Sequence, residues 1–331
     1  MPGEPVLRVC NLTTHFYTRY GVVEAVNGIS FTLEAGQTLV LVGESGSGKT
    51  ATALSLLGLI EPPGVIAAGE VWLNGCNLLE LPKKQLRQIR GREISLVFQD
   101  PMTSLNPVLT IGSQLYETII AHERISRTEA RRKARELLAR VGLPEPERLM
   151  RLYPFQLSGG MRQRVMIAIA LALRPRILIA DEPTTALDVT VQAQILSELR
   201  RLQREFNTAI ILITHDLGIV AEMAEEVAVM YAGSLVEQGP ALEVFENPRH
   251  PYTRALLRSV PCLGQKEKLV PIQGHPPSLL NLPDRCAFLP RCPEAGTECF
   301  GRKPRLQAVA SGHLVACYRV VVEKMRGVRL A

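Results

Sequence analysis

The chain has 331 residues, 46% hydrophobic and 5% aromatic, enough for a large buried core with an appendage. Its longest apolar run, residues 165–173, is about half of the roughly 20 residues that span a bilayer, and the N-terminus shows no signal-peptide apolar stretch, so a globular protein of the cytosol is expected. The net charge of +6 comes from basic residues interspersed with acidic ones; the densest segment, 127–140, carries Glu129 and Glu136 at helical spacing and reads as a solvated face, which speaks against a nucleic-acid partner.

Between residues 7 and 42 short alternating segments with Gly21, Gly28 and Gly36 at turns predict strands. Residues 51–60 predict a helix and residues 69–75 a further strand. From Pro101 to Leu173 the spacing is helical, as in "IGSQLYETII" and "EARRKARELLARVG". Residues 176–182, 192–206 and 208–216 then read strand, helix, strand, the order of a parallel sheet covered by helices. Prolines recur from Pro240 to Pro304, excluding long regular elements and placing a boundary near residue 240.

"GESGSGKT" at 43–50 follows an apolar strand and precedes a helix, as a phosphate-binding loop must. The backbone of Gly43, Glu44, Ser45, Gly46, Ser47 and Gly48 would cradle the phosphates, Lys49 would reach the β and γ oxygens, and Thr50 would bind magnesium. "RILIADEP" ends a buried strand on two carboxylates. Asp181 is placed to hold the magnesium, and Glu182 to accept a proton from the attacking water. "ITHD" puts His215 at the next strand end, near the γ-phosphate. A second anion-binding helix start lies in "FQLSGGMRQRV", at Ser158, Gly159 and Gly160.

Taken together these motifs resemble the ATP-binding subunit of ABC transporters over essentially the whole chain. The phosphate loop, Gln99 in "LVFQDP", the signature "LSGGMRQ", "ILIADE", "ALD" at 186–188 and His215 stand in the family's order. The resemblance implies a RecA-like P-loop α/β core with an antiparallel β subdomain and a helical subdomain, about 101–173, making up residues 1–240, plus an irregular cysteine-containing extension over 241–331. It implies Gln99 as a catalytic and magnesium-binding residue, Asp188 as a contact to nucleotide, and Phe16 as the aromatic that stacks on adenine, with Tyr17 adjacent. It also implies head-to-tail pairing with a second ATPase subunit, so that Ser158, Gly159 and Gly160 cap the ATP held by the partner.

"FQDPMTSLNP" and the tail "ENPRHPYTRALLRSVP" narrow the resemblance to the oligopeptide, dipeptide and nickel importers. That branch implies ATP hydrolysis driving peptide uptake from the cytoplasmic side of the membrane, through a heterodimer of ATPase subunits, two permease subunits and an external binding protein. Uptake of nickel or glutathione and a soluble non-transport ABC ATPase are the alternatives. A P-loop kinase or GTPase would leave "LSGGMRQ" without a purpose.

Seven cysteines in a cytosolic chain argue against a disulfide framework. Cys10, Cys76 and Cys262 read as ordinary buried thiols. Cys286, Cys292, Cys299 and Cys317 are spaced C-x5-C-x6-C-x17-C, which fits neither the usual zinc nor the usual iron–sulfur ladder. Both metals stay open on spacing, with free thiols as the third alternative, and the resemblance to the importer extension favours a [4Fe–4S] cluster over zinc.

Overall fold

The computed structural model describes residues 4–185, 187–259 and 271–320. In chain order the strands are β1 (Leu7–Thr18), β2 (Gly21–Leu33), β3 (Thr38–Val42), β4 (Gly64–Leu73), β5 (Cys76–Asn77), β6 (Ile94–Val97), β7 (Ile177–Asp181), β8 (Ala209–Thr214), β9 (Glu226–Tyr231), β10 (Ser234–Pro240), β11 (Gln307–Ala310) and β12 (His313–Val315). Strands β3, β7 and β8 are apolar except for Thr38, Asp181 and Thr214 at their ends, and are buried at every position, as strands covered on both faces require.

The chain forms two compact units. One comprises the residues up to Leu7, Leu33–Thr38 and Leu73–Ile213. Here β6, β7 and β8 pair in parallel, Val97 opposite Ala180 and Ala180 opposite Leu212, so their carboxyl ends emerge side by side. The helices Ile111–Ile120, Arg127–Arg140, Gly159–Ala170 and Val189–Phe206 belong to the same unit. Helix Arg127–Arg140 buries Ala130, Ala134 and Leu138 and turns its charges outward, where Arg132 pairs with Glu136 and Arg135 with Glu147. The basic segment is thus the solvated face expected from its spacing. Gln203, in the last turns of Val189–Phe206, donates to Gly36 O at 2.7 Å and Thr38 Oγ1 at 2.9 Å, which ties that helix to the start of β3.

The second unit comprises Arg8–Thr32, Leu39–Trp72 and the chain from Thr214 onward. It carries β1, β2 and β4, adjacent in the order β2-β1-β4, and the strands ordered β11-β12-β10-β9-β3, of which β3 and β9 are parallel. The β9–β10 turn is Ala232-Gly233, both at positive φ, the twist that a two-residue hairpin needs. Ala-Gly is a weak hairpin signal beside Asn-Gly, and the sequence reading lacks this pair of strands, as it lacks the four-residue β6. Gly28 is a correction: expected at a turn, it lies inside β2 with φ 67°. The helix expected at 51–60 runs Lys49–Leu56 instead, and the strand expected at 69–75 begins earlier, at Gly64.

The proline-rich tail is woven into this second unit. Val315 pairs with Glu237 across β12 and β10. Near Leu280 the tail lies along β2, with Glu24 N–H donating to Leu279 O at 3.0 Å and Asn281 N–H to Val22 O at 2.8 Å. The Glu237 carboxylate is fully buried and accepts from Arg249 N–H at 2.7 Å and His250 N–H at 2.9 Å, while His313 Nε2 lies 2.7 Å from it. Removing one partner of a buried pair leaves the other desolvated and unsatisfied. His313→Ala is therefore expected to destabilise the protein by about 3 kcal/mol in chemical denaturation. His313→Gln, which keeps a donor, should recover a large part of that loss; equal loss in both variants would mean that ring packing, not the buried carboxylate, governs the position.

Candidate nucleotide site

The phosphate loop leaves β3 at Val42 and enters the helix Lys49–Leu56 through Gly48, which has φ 104°. A Cβ at Gly43 would stand 2.2 Å from the Met230 carbonyl oxygen, and one at Gly48 would stand 2.2 Å from that of Ala25. Neither position has room for a side chain, and Gly48 also holds a conformation that L-residues avoid. Gly233, from the β9–β10 turn, donates its N–H to Ser47 O at 2.9 Å and so helps to fix the loop.

Lys49 is buried, and its ammonium donates to Gly43 O at 2.8 Å and Glu44 O at 3.0 Å. A cationic tip inside a glycine loop at a helix N-terminus is a donor set matched to a polyphosphate. Ser47 is buried, whereas Ser45, Gly46 and Thr50 are exposed. Glu44 is gripped by the tail: its N–H donates to Tyr252 Oη at 2.9 Å, and its carboxylate accepts from Arg291 Nη1 at 2.6 Å and Nη2 at 3.0 Å.

In the other unit, Asp181 ends β7 buried and Glu182 follows with φ 45°, a left-handed conformation unusual for a side-chain-bearing residue. Its N–H donates to Ile213 O at 2.9 Å. The Glu182 carboxylate accepts from Gln99 Nε2 at 2.8 Å and from Thr185 Oγ1 at 2.9 Å. The register explains the first contact, since β6 and β7 end side by side and Gln99 and Glu182 each stand just beyond those ends. His215 is exposed, one residue past the end of β8.

Ser158 caps the helix Gly159–Ala170, its hydroxyl accepting from Met161 N–H at 3.3 Å, and both Ser158 and Gly159 are exposed. A Cβ on Gly160 would lie 2.7 Å from Val191 Cγ1, so the helix start packs too tightly for a larger residue. Asp188 caps the next helix, accepting from Val191 N–H at 2.9 Å. Ala186 lies outside the described residues. Phe16 is half-buried on β1 with its ring against Gly64, while Tyr17 is 53% exposed.

The four tail cysteines line one cavity of about 10 Å³, together with His250, Phe288 and Leu289. Burial pushes the Cys286 thiol up to about 11 and raises those of Cys292 and Cys317, with the neighbouring cysteines adding to each shift. Among the described residues no group of three or more His, Cys, Asp or Glu side chains is arranged to hold a metal ion. Of the cysteines expected to be buried thiols, Cys76 is exposed on the two-residue β5 and Cys10 is half-buried beside the buried Val9 of β1; Cys262 lies outside the described residues. Sequence reasoning missed Thr185, Tyr252 and Arg291. Nothing in the sequence near Arg291 signals a partner so far away in the chain.

The ABC transporter family model matches residues 26–185, and the model of the oligopeptide/dipeptide transporter C-terminal region matches residues 236–299. The chain is 51% identical to the oligopeptide transport ATP-binding protein OppD of Salmonella typhimurium over 97% of this chain and 96% of that one. This chain belongs to the ATP-binding proteins of ABC transporters. It is also 49% identical to the oligopeptide transport ATP-binding protein AppD of Bacillus subtilis, over 95% of this chain and 96% of that one. Among solved structures it resembles a dimeric ATP-binding cassette bound to ADP and Pi, with 30% identity and a TM-score of 0.64 over 71% of this chain and 98% of that chain. As an ABC ATPase it binds ATP with Mg2+ and hydrolyses it. No described helix is long and apolar enough to cross a membrane.

Proposed function

We propose that this chain is the subunit whose ATP hydrolysis powers uptake of peptides across the cytoplasmic membrane. The observation that carries the reading is the likeness to oligopeptide transport ATP-binding proteins over nearly the full length, C-terminal extension included. With no spanning helix among its described residues, the chain would act from the cytoplasmic face, docked on two permease subunits and supplied by an external binding protein. Residues 1–240 form the nucleotide-binding domain and 241–331 the importer extension.

Within that domain we assign Lys49 and the loop 43–48 to the phosphates, Thr50, Gln99 and Asp181 to magnesium, Phe16 to the adenine, and Asp188 to the nucleotide contact. Glu182 takes the proton of the attacking water and His215 stands by the γ-phosphate. Support for Glu182 comes from its carboxylate, held by Gln99 and Thr185 on a strained left-handed backbone. Ser158, Gly159 and Gly160 cap ATP bound by a second, related ATPase subunit, for which a helix N-terminus with Ser158 and Gly159 exposed is suited.

In cells carrying this chain with its permeases and binding protein, uptake of a labelled oligopeptide is expected, and Glu182→Gln should abolish it. In the purified complex that variant should bind ATP normally while turnover falls by about 10²–10⁴-fold, the contribution of a general base. Loss of ATP binding in the variant would contradict the role of Glu182. Uptake of nickel or glutathione in place of peptide would replace the cargo and leave the ATPase.

We assign Cys286, Cys292, Cys299 and Cys317 to a [4Fe–4S] cluster with a structural role, because all four line one cavity. Anaerobic purification should yield brown protein with about four iron and four sulfide per chain, lost on Cys292→Ser. One zinc per chain, or folded metal-free protein, would overturn the assignment.

A further inference from the structure

A carboxylate in a phosphate-binding loop is an electrostatic liability, since it repels the anion that the loop binds. This loop carries one, at Glu44. Its charge is matched by Arg291, 247 residues further along in the extension, through a two-pronged contact of Nη1 to Oε2 at 2.6 Å and Nη2 to Oε1 at 3.0 Å. The Arg291 side chain is only 3% exposed and that of Glu44 25%. Such a forked, desolvated pair is geometrically specific, and a lysine could not reproduce it.

The remaining guanidinium donors are also placed. Nε donates to Gln273 O at 2.9 Å, Nη2 to Ile272 O at 3.4 Å, and Nη1 to Tyr231 Oη at 3.3 Å, with the guanidinium 5.8 Å from the Tyr231 ring centre. The same loop residue is held by its backbone as well, its N–H on Tyr252 Oη and its carbonyl on Lys49. Tyr231, Tyr252 and Phe288 pack on one another with ring centres 4.6 to 5.4 Å apart. Arg291 closes the short helical turn Leu289–Arg291, and Phe288, Leu289 and Cys292 around it line the cysteine cavity.

We propose that Arg291 is a positioning residue for nucleotide binding: it fixes Glu44 in the phosphate loop and masks that carboxylate from the phosphates the loop receives. The extension thereby completes the ATP site of its own chain. This rests on the reading of residues 43–50 as the nucleotide loop, and the experiment separates the two.

The test is binding of a fluorescent ATP analogue with magnesium to the full chain in its complex, together with KM and kcat for ATP. Arg291→Met should weaken analogue binding about tenfold and raise KM with little change in kcat, more so at low ionic strength, where charge repulsion is least screened. Adding Glu44→Gln to that variant should restore affinity to within about twofold of the parent, because the repelling charge has gone although the tie is still missing. Arg291→Lys, which keeps the charge without the fork, should fall between parent and Arg291→Met. Glu44→Gln alone should tighten binding by about threefold, since Arg291 is then an unopposed cation near the phosphates, and this arm stands even if Arg291→Met fails to fold. Unchanged affinity in Arg291→Met, a double variant no better than Arg291→Met, or a tenfold loss in Glu44→Gln would each show a mere fastening of the tail and overturn the proposal. A parent chain that does not bind the analogue would instead overturn the nucleotide loop itself.

Discussion

A polyphosphate is bound by backbone N–H groups only where the backbone can come close to it, and side chains are what keep a backbone away. In this chain the constraint is visible at Gly43 and Gly48, where a single Cβ would collide with the carbonyls of Met230 and Ala25. Those two carbonyls belong to β9 and β2, so the loop is shaped by the strands around it and not by its own sequence alone. The buried runs of β3 and β9, parallel and in register from Leu39 to Val42, give the loop a rigid base to rise from. Lys49 then brings the cation, and Glu44 brings a charge of the wrong sign that Arg291 answers.

The same logic places the groups we assign to hydrolysis. Parallel strands end on one side, so whatever follows β6 and β7 is brought together without any further device. Gln99 and Glu182, 83 positions apart in the chain, meet at 2.8 Å for that reason. The left-handed backbone at Glu182 turns the chain immediately after the strand, a local strain the surrounding hydrogen bonds from Thr185 and to Ile213 hold in place.

Much of this was legible in the sequence because it is local. "GESGSGKT", "RILIADE" and "LSGG" each carry their geometry within a few residues, and the helix at Ile111–Ile120 matches its predicted span. What was not legible depends on distant partners or weak turn chemistry. The Ala-Gly hairpin of β9 and β10 lacks the usual asparagine, β6 is too short to show a period, and Gly28 sits in a strand where its composition suggested a turn. Among the described residues after Pro240 no element is longer than the eight-residue helix Pro251–Arg258, in keeping with the prolines. They could not show that the tail adds β12 to β10, buries Glu237 against His313, or returns Arg291 to the phosphate loop. The cysteine spacing fitted no standard ladder because the four residues converge through the fold, around one cavity walled by Phe288.

Among the described residues, helix N-termini suited to anions occur at Lys49 and at Ser158, and we assign the second to the ATP of a neighbouring subunit. The most direct measurement places Ser158→Arg in this chain alone, in the assembled transporter, and follows both hydrolysis and photo-labelling of this chain by an azido-ATP analogue. Hydrolysis at the neighbour's site is expected to stop while labelling of this chain's own phosphate loop continues. Loss of labelling on this chain, with hydrolysis at the neighbour's site intact, would contradict the assignment.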